Sequence, residues 1–305
     1  MIHGVINVYK EKGFTSHDVV ARLRGILKQK KIGHTGTLDP DAEGVLPVCL
    51  GKATRLCDML TDNDKTYEAV LLFGTETDTQ DTSGSIVRER STSQLTEEAV
   101  QEAVLRLTGE YAQIPPMYSA VKIDGRKLYE LAREGKVVER KARKVRIHHI
   151  NILDMQLPRV KMEICCSKGT YIRTLCHDIG QSLGCGGCME QLIRTQVGRF
   201  QIDGSIRLSE VEKMRDDGTL STAVVPVDEM FPDYRKVVAD QEQEPLAYNG
   251  NAFPGRQVPK KADSFEDGEN VRVYDREGHF IAVYEYRMAE EKFKVKKMFF
   301  DRSSR

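Results

Sequence analysis

The sequence predicts an α+β fold in which a large domain built on a mixed, mainly antiparallel sheet precedes a small β-rich domain. Three observations carry this. Apolar residues recur at period two in some segments and near 3.6 in others, without the regular βαβ alternation of a doubly wound sheet. A chain of 305 residues with 40% hydrophobic content is long enough for a sizeable core and for two domains, at roughly 100 to 200 residues each. Beyond Val225 to Asp233, where Pro226 and Pro232 bracket a short segment, the pattern turns to strands, which places the domains at 1–230 and 231–305.

Taken in order, Gly4 to Tyr9 alternates as a strand does. Val19, Val20, Leu23, Ile26 and Leu27 then keep helical spacing behind Thr15 and Ser16, both good N-cap residues. Val45 to Leu50 reads as a short buried strand, Lys52 to Leu60 as a helix and Thr66 to Phe73 as a strand. The polar stretch Gly74 to Gly84 reads as a loop. Val100, Ala103, Val104 and Leu107 mark a helix opened by Thr96 and closed near Gly109, and a short helix over Arg126 to Glu134 stops at Gly135. Strands follow at Arg146 to Met155 and Val160 to Cys166, then helices from Thr170 and over Ser209 to Asp216. In the second domain, Val271 to Tyr274 and Phe280 to Tyr284 flank the turn Asp275 to Gly278 as a hairpin.

Lys plus Arg and Asp plus Glu both number 46, so the net charge is zero, but the charges are not spread evenly. Arg22, Arg24, Lys28, Lys30 and Lys31 form a run without an acid. Lys136 to Arg146 holds six basic residues against Glu139, and Lys292, Lys294, Lys296 and Lys297 form a third group. Such patches bind phosphates locally whatever the total charge. Seven scattered cysteines make a poor disulfide framework and point to a reducing cytoplasm. The N-terminus lacks the pattern of a secretory leader, and no run approaches the roughly 20 apolar residues of a membrane span, so a soluble chain is expected.

The chemistry concentrates in Gly33-His34-Thr35-Gly36-Thr37-Leu38-Asp39-Pro40-Asp41-Ala42-Glu43-Gly44-Val45-Leu46-Pro47. Gly33 and Gly36 allow close backbone approach to a ligand, and Pro40 pushes Asp39 towards an extended conformation. The result is a carboxylate on a pinned loop. Asp41 and Glu43 are rival carboxylates whose spacing does not rank them, although only Asp39 precedes a proline.

This stretch resembles the signature loop of the TruB-type tRNA pseudouridine synthases, in which the Asp of L-D-P is catalytic. Further segments agree with that family in the same order. Lys10-Glu11-Lys12-Gly13-Phe14-Thr15-Ser16 resembles K-P-x-G-x-T-S, with Glu11 in place of the proline, and Asp64-Lys65-Thr66-Tyr67 resembles the segment carrying the active-site Tyr. Gln113 to Lys122 matches Q-x-P-P-x-x-S-A-x-K, Lys168 to Leu175 matches the segment carrying the active-site Arg, and Leu192 to Gly198 resembles the apolar closing segment. Val271 to Ala282 resembles the end of a small RNA-binding domain of the PUA kind.

The resemblance implies a pseudouridine synthase catalytic domain with a PUA-like C-terminal domain, acting on uridine 55 in the T-loop of tRNA. The reaction breaks the bond from N1 to the sugar C1′ and rejoins the base through C5, and it calls for no cofactor and no metal. Asp39 would be the nucleophile, at C1′ or at C6 of the base, with abstraction of the C2′ proton as a third path. Arg173 would hold the carboxylate charged and oriented. The base must be extruded from folded RNA and held between flat or apolar side chains, for which the family supplies Tyr67, tied also to proton movement, and Leu192. Tyr171 would be another substrate contact, and His34 would fill the space left by the flipped base. Asp78 and Asp81 read as solvated turn residues. Residues 124–150 would form a basic insertion closing on the RNA. A monomer with the T-arm of tRNA as its partner, without a membrane or an obligate protein partner, is expected.

Two other readings stand beside it. Cys176-His177 followed by Cys185 and Cys188 offers four soft ligands, with Cys-x-x-Cys a zinc spacing. Alternatively, the basic patches serve a non-catalytic RNA-binding protein that folds tRNA, or a related synthase acting on another RNA.

Overall fold

Thr15 starts the first helix by a reciprocal cap. In the computed structural model, which describes residues 1–255 and 265–300, the Thr15 hydroxyl accepts from the Asp18 N–H at 3.0 Å and the Asp18 carboxylate accepts from the Thr15 N–H at 2.8 Å. The helix, α1, spans Ser16–Leu27 and buries Val19, Val20 and Leu23. Each such side chain contributes roughly 1.5 to 3 kcal/mol of hydrophobic burial. Before it runs β1, Gly4–Lys10. It is buried on both faces: Val5 packs with Val45, Leu56 and Phe231, while Ile6 and Val8 pack with the α1 stripe and Leu46. Its expected alternation of solvent and core is therefore absent, because helices cover one side of the sheet and the C-terminal unit the other.

The glycine-rich loop hangs between β2 (Ile32–His34) and β3 (Glu43–Leu50), which pair antiparallel through Gly33 and Cys49. The segment expected as one helix over Lys52 to Leu60 divides into a 3-10 turn, Gly51–Leu56, and α2, Cys57–Thr61. β4 (Lys65–Phe73) follows. The stretch Gly74 to Gly84, expected as a loop, contains a strand, β5 (Thr75–Thr77), that pairs with β6 (Ile86–Glu89). Short polar strands of this kind carry no apolar period to announce them. Then come α3 (Glu97–Leu105), β7 (Gly109–Gln113), the hairpin of β8 (Lys122–Ile123) and β9 (Arg126–Lys127), α4 (Leu128–Arg133), β10 (Arg143–Gln156), β11 (Arg159–Cys166) and α5 (Ile172–Ser182). Of the basic stretch 124–150, Arg143 onward belongs to β10 in the main sheet, so the part standing clear of the sheet ends at residue 142.

The segment Leu192 to Gly198 lies mostly in β12 (Gly187–Val197), a central strand paired antiparallel with β4 and parallel with β3. Glu190, Gln191, Arg194 and Gln196 hide its period, and the tertiary pairing makes it a strand. With β13 (Phe200–Gln201) and β14 (Val224–Val225), the large sheet runs β14-β1-β3-β12-β4-β11-β10-β7, with β2 and β13 at its side. α6 (Leu208–Asp216) packs beside α1.

A second sheet follows, in the order β15 (Arg235–Val238), β17 (Asn270–Tyr274), β18 (Phe280–Arg287), β19 (Lys292–Met298), β16 (Phe253–Pro254), with α7 (Gln243–Tyr248) beside it. Its own core holds Val237, Phe253, Val273, Ile281, Tyr284 and Phe293. Val283 and Phe299 instead join Val5, Val45 and Phe231, and Arg55 donates to the Met298 carbonyl at 2.8 Å, so the second unit is seated on the first. Residues 256–264 and 301–305 of the expected 231–305 domain lie outside the described residues. The architecture is α+β with a β-rich C-terminal domain. Among the described residues no helix is long and apolar enough to cross a membrane.

Candidate active site

Ser16, one residue after the helix cap, points its buried hydroxyl into the loop, where it accepts from the Leu38 N–H at 2.9 Å. Thr35 ties the other side of the loop to the Pro47 carbonyl through both its N–H and its hydroxyl. Lys10 reaches in from the end of β1. Its fully buried ammonium donates to the carbonyls of Pro40 at 3.1 Å and Ala42 at 2.5 Å, and that burial pulls its pKa down to about 8. Glu11, at the family's proline position, pairs with Arg207. The loop is thus held at Leu38, Pro40 and Ala42, and Asp39 sits between these anchors.

Arg173 meets Asp39 there. Its Nε lies 3.0 Å from the Asp39 carboxylate, and the guanidinium is nearly sequestered while 41% of the Asp39 side chain stays open to solvent. The second residue of α5, Arg173 faces the cleft because the start of that helix is pinned: Gln113 accepts from the Tyr171 N–H at 2.7 Å and donates to the Tyr171 carbonyl at 3.0 Å. Its other nitrogens donate to the carbonyls of Thr79 at 3.0 Å and Tyr118 at 2.9 Å, so the segment Gln113 to Lys122 braces the Arg173 side of the site. The rival carboxylates separate by position. Asp41 is exposed and Glu43 accepts from the Tyr9 hydroxyl, so among the three only Asp39 touches Arg173.

Asp81 corrects the sequence reading. Expected as a solvated turn residue, it is 16% exposed at its side chain and lies 3.4 Å from Arg173, at the terminal nitrogen that also donates to Thr79. Asp78 keeps the turn role and accepts from the Ser85 N–H. Arg173 therefore serves two carboxylates, and the field at Asp39 is divided. Partial burial in the cleft wall pushes the Asp39 carboxyl above its ordinary range; Arg173 and Lys10 pull it down, and Asp81 and Asp41 push it up. Arg173, expected to hold the carboxylate charged, lowers it, but the cost of burial outweighs that pull.

Tyr67 on β4 and Leu192 on β12 are both buried and both face this side of the sheet, because Tyr67 pairs with Arg194 and Ala69 with Leu192 in the ladder. Burial pushes the Tyr67 phenol up to about 12. Tyr171 is partly exposed at the start of α5. His34 stands edge-on to His17 with ring centroids 5.4 Å apart, and its Nδ1 accepts from the Gly36 N–H at 3.3 Å. Burial lowers its pKa, which favours the neutral ring. Lys10, Asp81 and Arg194 were not singled out by sequence reasoning. Lys10 and Arg194 lay in view within segments that match the family, and Asp81 was read only as a turn residue.

The four soft ligands do not assemble. Cys185 donates to the Gly180 and Gly186 carbonyls, and burial raises the thiols of Cys176, Cys185 and Cys188. Among the described residues, the one group of His, Cys, Asp and Glu whose ligand atoms come within 4.8 Å of one another is Asp275, Glu277 and His279, at the turn of the C-terminal hairpin.

A carboxylate on an anchored loop paired with a guanidinium, with an aromatic and an aliphatic side chain buried on the same side of the sheet, suits nucleophilic chemistry on a flat heterocycle. Comparison with known proteins points the same way. The model of the TruB family pseudouridylate synthase N-terminal domain matches residues 24–172, and that of the tRNA pseudouridylate synthase B C-terminal domain matches 173–232. The chain is 52% identical over 307 aligned positions to tRNA pseudouridine synthase B of Lachnoclostridium phytofermentans, covering 98% of this chain and 100% of the relative. It is 40% identical to the protein of the same name from Clostridium acetobutylicum, covering 97% and 99%. Among solved structures, a chain of a Cbf5-Nop10-Gar1 complex superposes with a TM-score of 0.73 at 28% identity, covering 99% of this chain and 86% of that one. A chain of an H/ACA RNP bound to a substrate RNA containing 2′-deoxyuridine superposes with a TM-score of 0.72 at 26% identity, covering 98% and 86%.

Proposed function

The chain belongs to the TruB family of pseudouridylate synthases, which are isomerases, and on that premise we propose that it converts uridine 55 in the T-loop of tRNA to pseudouridine with Asp39 as nucleophile. The observation that carries this reading is the 3.0 Å pair of Asp39 and Arg173, with Tyr67 and Leu192 buried in the same apolar cluster as Leu38, the residue before Asp39. An ionised carboxylate with one side open is ready to attack a base or sugar carbon. Arg173 orients it from a helix start, and the low-dielectric wall strengthens every interaction made there.

The uracil enters flipped out of its stack and lies between the Tyr67 ring and Leu192. His34, kept neutral by burial, takes the place the base has left in the RNA, and Tyr171 contacts the substrate from the start of α5. The T-arm is met through its shape as much as its sequence. The basic run Arg22 to Lys31 and the insertion that begins at 124 face phosphates, and the domain from residue 231 supports RNA binding. The enzyme works as a cytoplasmic monomer.

Pseudouridine mapping in a T-stem-loop transcript treated with the purified protein tests this. Conversion at position 55 by the wild-type chain, lost in Asp39→Asn with tRNA affinity within a few fold, is the expected result. Conversion that survives in Asp39→Asn removes the nucleophile. Tight binding without any conversion by the wild-type chain favours a tRNA-folding role, and conversion only in other RNAs favours a related synthase.

A further inference from the structure

Arg194 is 1% exposed and heads the fully buried side chains by volume among the described residues, yet within those residues no carboxylate pairs with it. Its Nε donates to the Val45 carbonyl at 2.8 Å and a terminal nitrogen donates to the Gly36 carbonyl at 3.2 Å, and its charge lies beside the phenol of Tyr67, which stands opposite it in the ladder. A cation buried against neutral dipoles alone is costly, and an aliphatic side chain of similar volume fills such a space at less cost. The three groups it meets belong to three separate pieces of the site: the Val45 carbonyl of strand β3 just beyond the loop, the Gly36 carbonyl of the loop itself, and the ring of Tyr67. They converge because β12 lies between β3 and β4, with Arg194 opposite Gly44 on one side and opposite Tyr67 on the other.

We infer that Arg194 is a positioning residue of this site: one planar guanidinium holds the Gly36 carbonyl while its charge faces the Tyr67 phenol across the ladder, and so sets the gap between the Asp39 loop and the ring that meets the uracil. The inference rests on the proposed role of Tyr67. Arg is suited to this where Lys is not, since a planar fork of several donors reaches both carbonyls at fixed angles with its charge facing the phenol, and an ammonium is a point charge. Burial, with the Arg194 charge adding to it, lowers the pKa values of Lys10 and Lys65, and both commit their donors to backbone carbonyls, so neither takes its place.

A double-mutant cycle with Tyr67→Phe tests the coupling. In single-turnover release of tritium from tRNA labelled at uridine C5, Arg194→Lys should lower the rate constant about 100-fold while tRNA affinity stays within a few fold. In the Tyr67→Phe background the same substitution should cost less than about 3-fold, because the hydroxyl its charge faces is already gone. An equal loss in both backgrounds, or a wild-type rate for Arg194→Lys, overturns the inference. A second measurement needs no turnover. The fluorine resonance of 3-fluorotyrosine placed at position 67 should titrate at higher pH in Arg194→Met than with Arg194 present, and an unmoved titration overturns the inference. If the wild-type protein releases no tritium from uridine 55, the functional reading fails, and the fluorine titration still decides the role of Arg194.

Discussion

At the scale of single residues, the charge balance at Asp39 has a measurable sign. A carboxyl raised above its unfolded value favours the protonated form in the folded chain, so the protein gives up stability as pH rises through the ordinary value of about 3.9 towards the raised one. The nucleophile is lost in the opposite direction, as pH falls through the raised value. The acid limb of the single-turnover rate should therefore lie above about pH 4. Arg173→Met, which removes the strongest downward pull on Asp39, should shift that limb to higher pH as well as lower the plateau. A limb at or below the ordinary carboxylate value in the wild-type protein would contradict the electrostatics described here. The motif order L-D-P already set Asp39 apart from Asp41 and Glu43, but the contact with Arg173 is what ranks them.

At the scale of elements, the catalytic loop depends on how closely β3 and β12 approach. Gly44 has φ of +105°, and a Cβ there would lie 2.2 Å from the Arg194 carbonyl oxygen. Gly13, also left-handed at φ of +87°, has nothing within 4 Å of its Cβ position. Gly13→Ala should cost only the conformational penalty of about 1 to 2 kcal/mol. Gly44→Ala adds a backbone clash between two core strands, and its urea midpoint should fall clearly further. Equal midpoints for the two variants would mean that the strands separate freely and that the loop has no rigid support. Helix α1 and strands β4, β10 and β11 were legible because their apolar periods are regular. β12 was not, since a buried Arg and several polar neighbours break its period and only pairing on both sides makes it a strand.

At the scale of the whole molecule, a net charge of zero conceals an uneven field. Among the described residues Arg22, Lys28, Lys30 and Lys31 form no ion pair, whereas Lys294 pairs with Glu290 and Lys296 with Glu285. The first patch is thus free to meet phosphates and the third is partly neutralised within its own sheet. RNA affinity should fall steeply between about 50 and about 200 mM salt, and Lys30→Glu with Lys31→Glu should flatten that slope by about one unit for each phosphate no longer neutralised. Lys294→Glu should change the slope little. Filter binding across the salt range checks both, and equal slopes for the two variants would refute the assignment of the patches.

The chain by itself determined its fold class, the first helix and its cap, the loop that carries Asp39 and the residue types the chemistry requires, because these are written in neighbouring positions. What depends on residues far apart in sequence was decided only in three dimensions: that Asp81 shares Arg173, that Lys10 plugs the loop from the end of β1, and that Arg194 on β12 holds the Gly36 carbonyl of the loop. The physical reason is that burial and pairing across a sheet set the energy of a charge. A charged side chain that looks solvated in sequence becomes part of the site once the strands on either side remove its water.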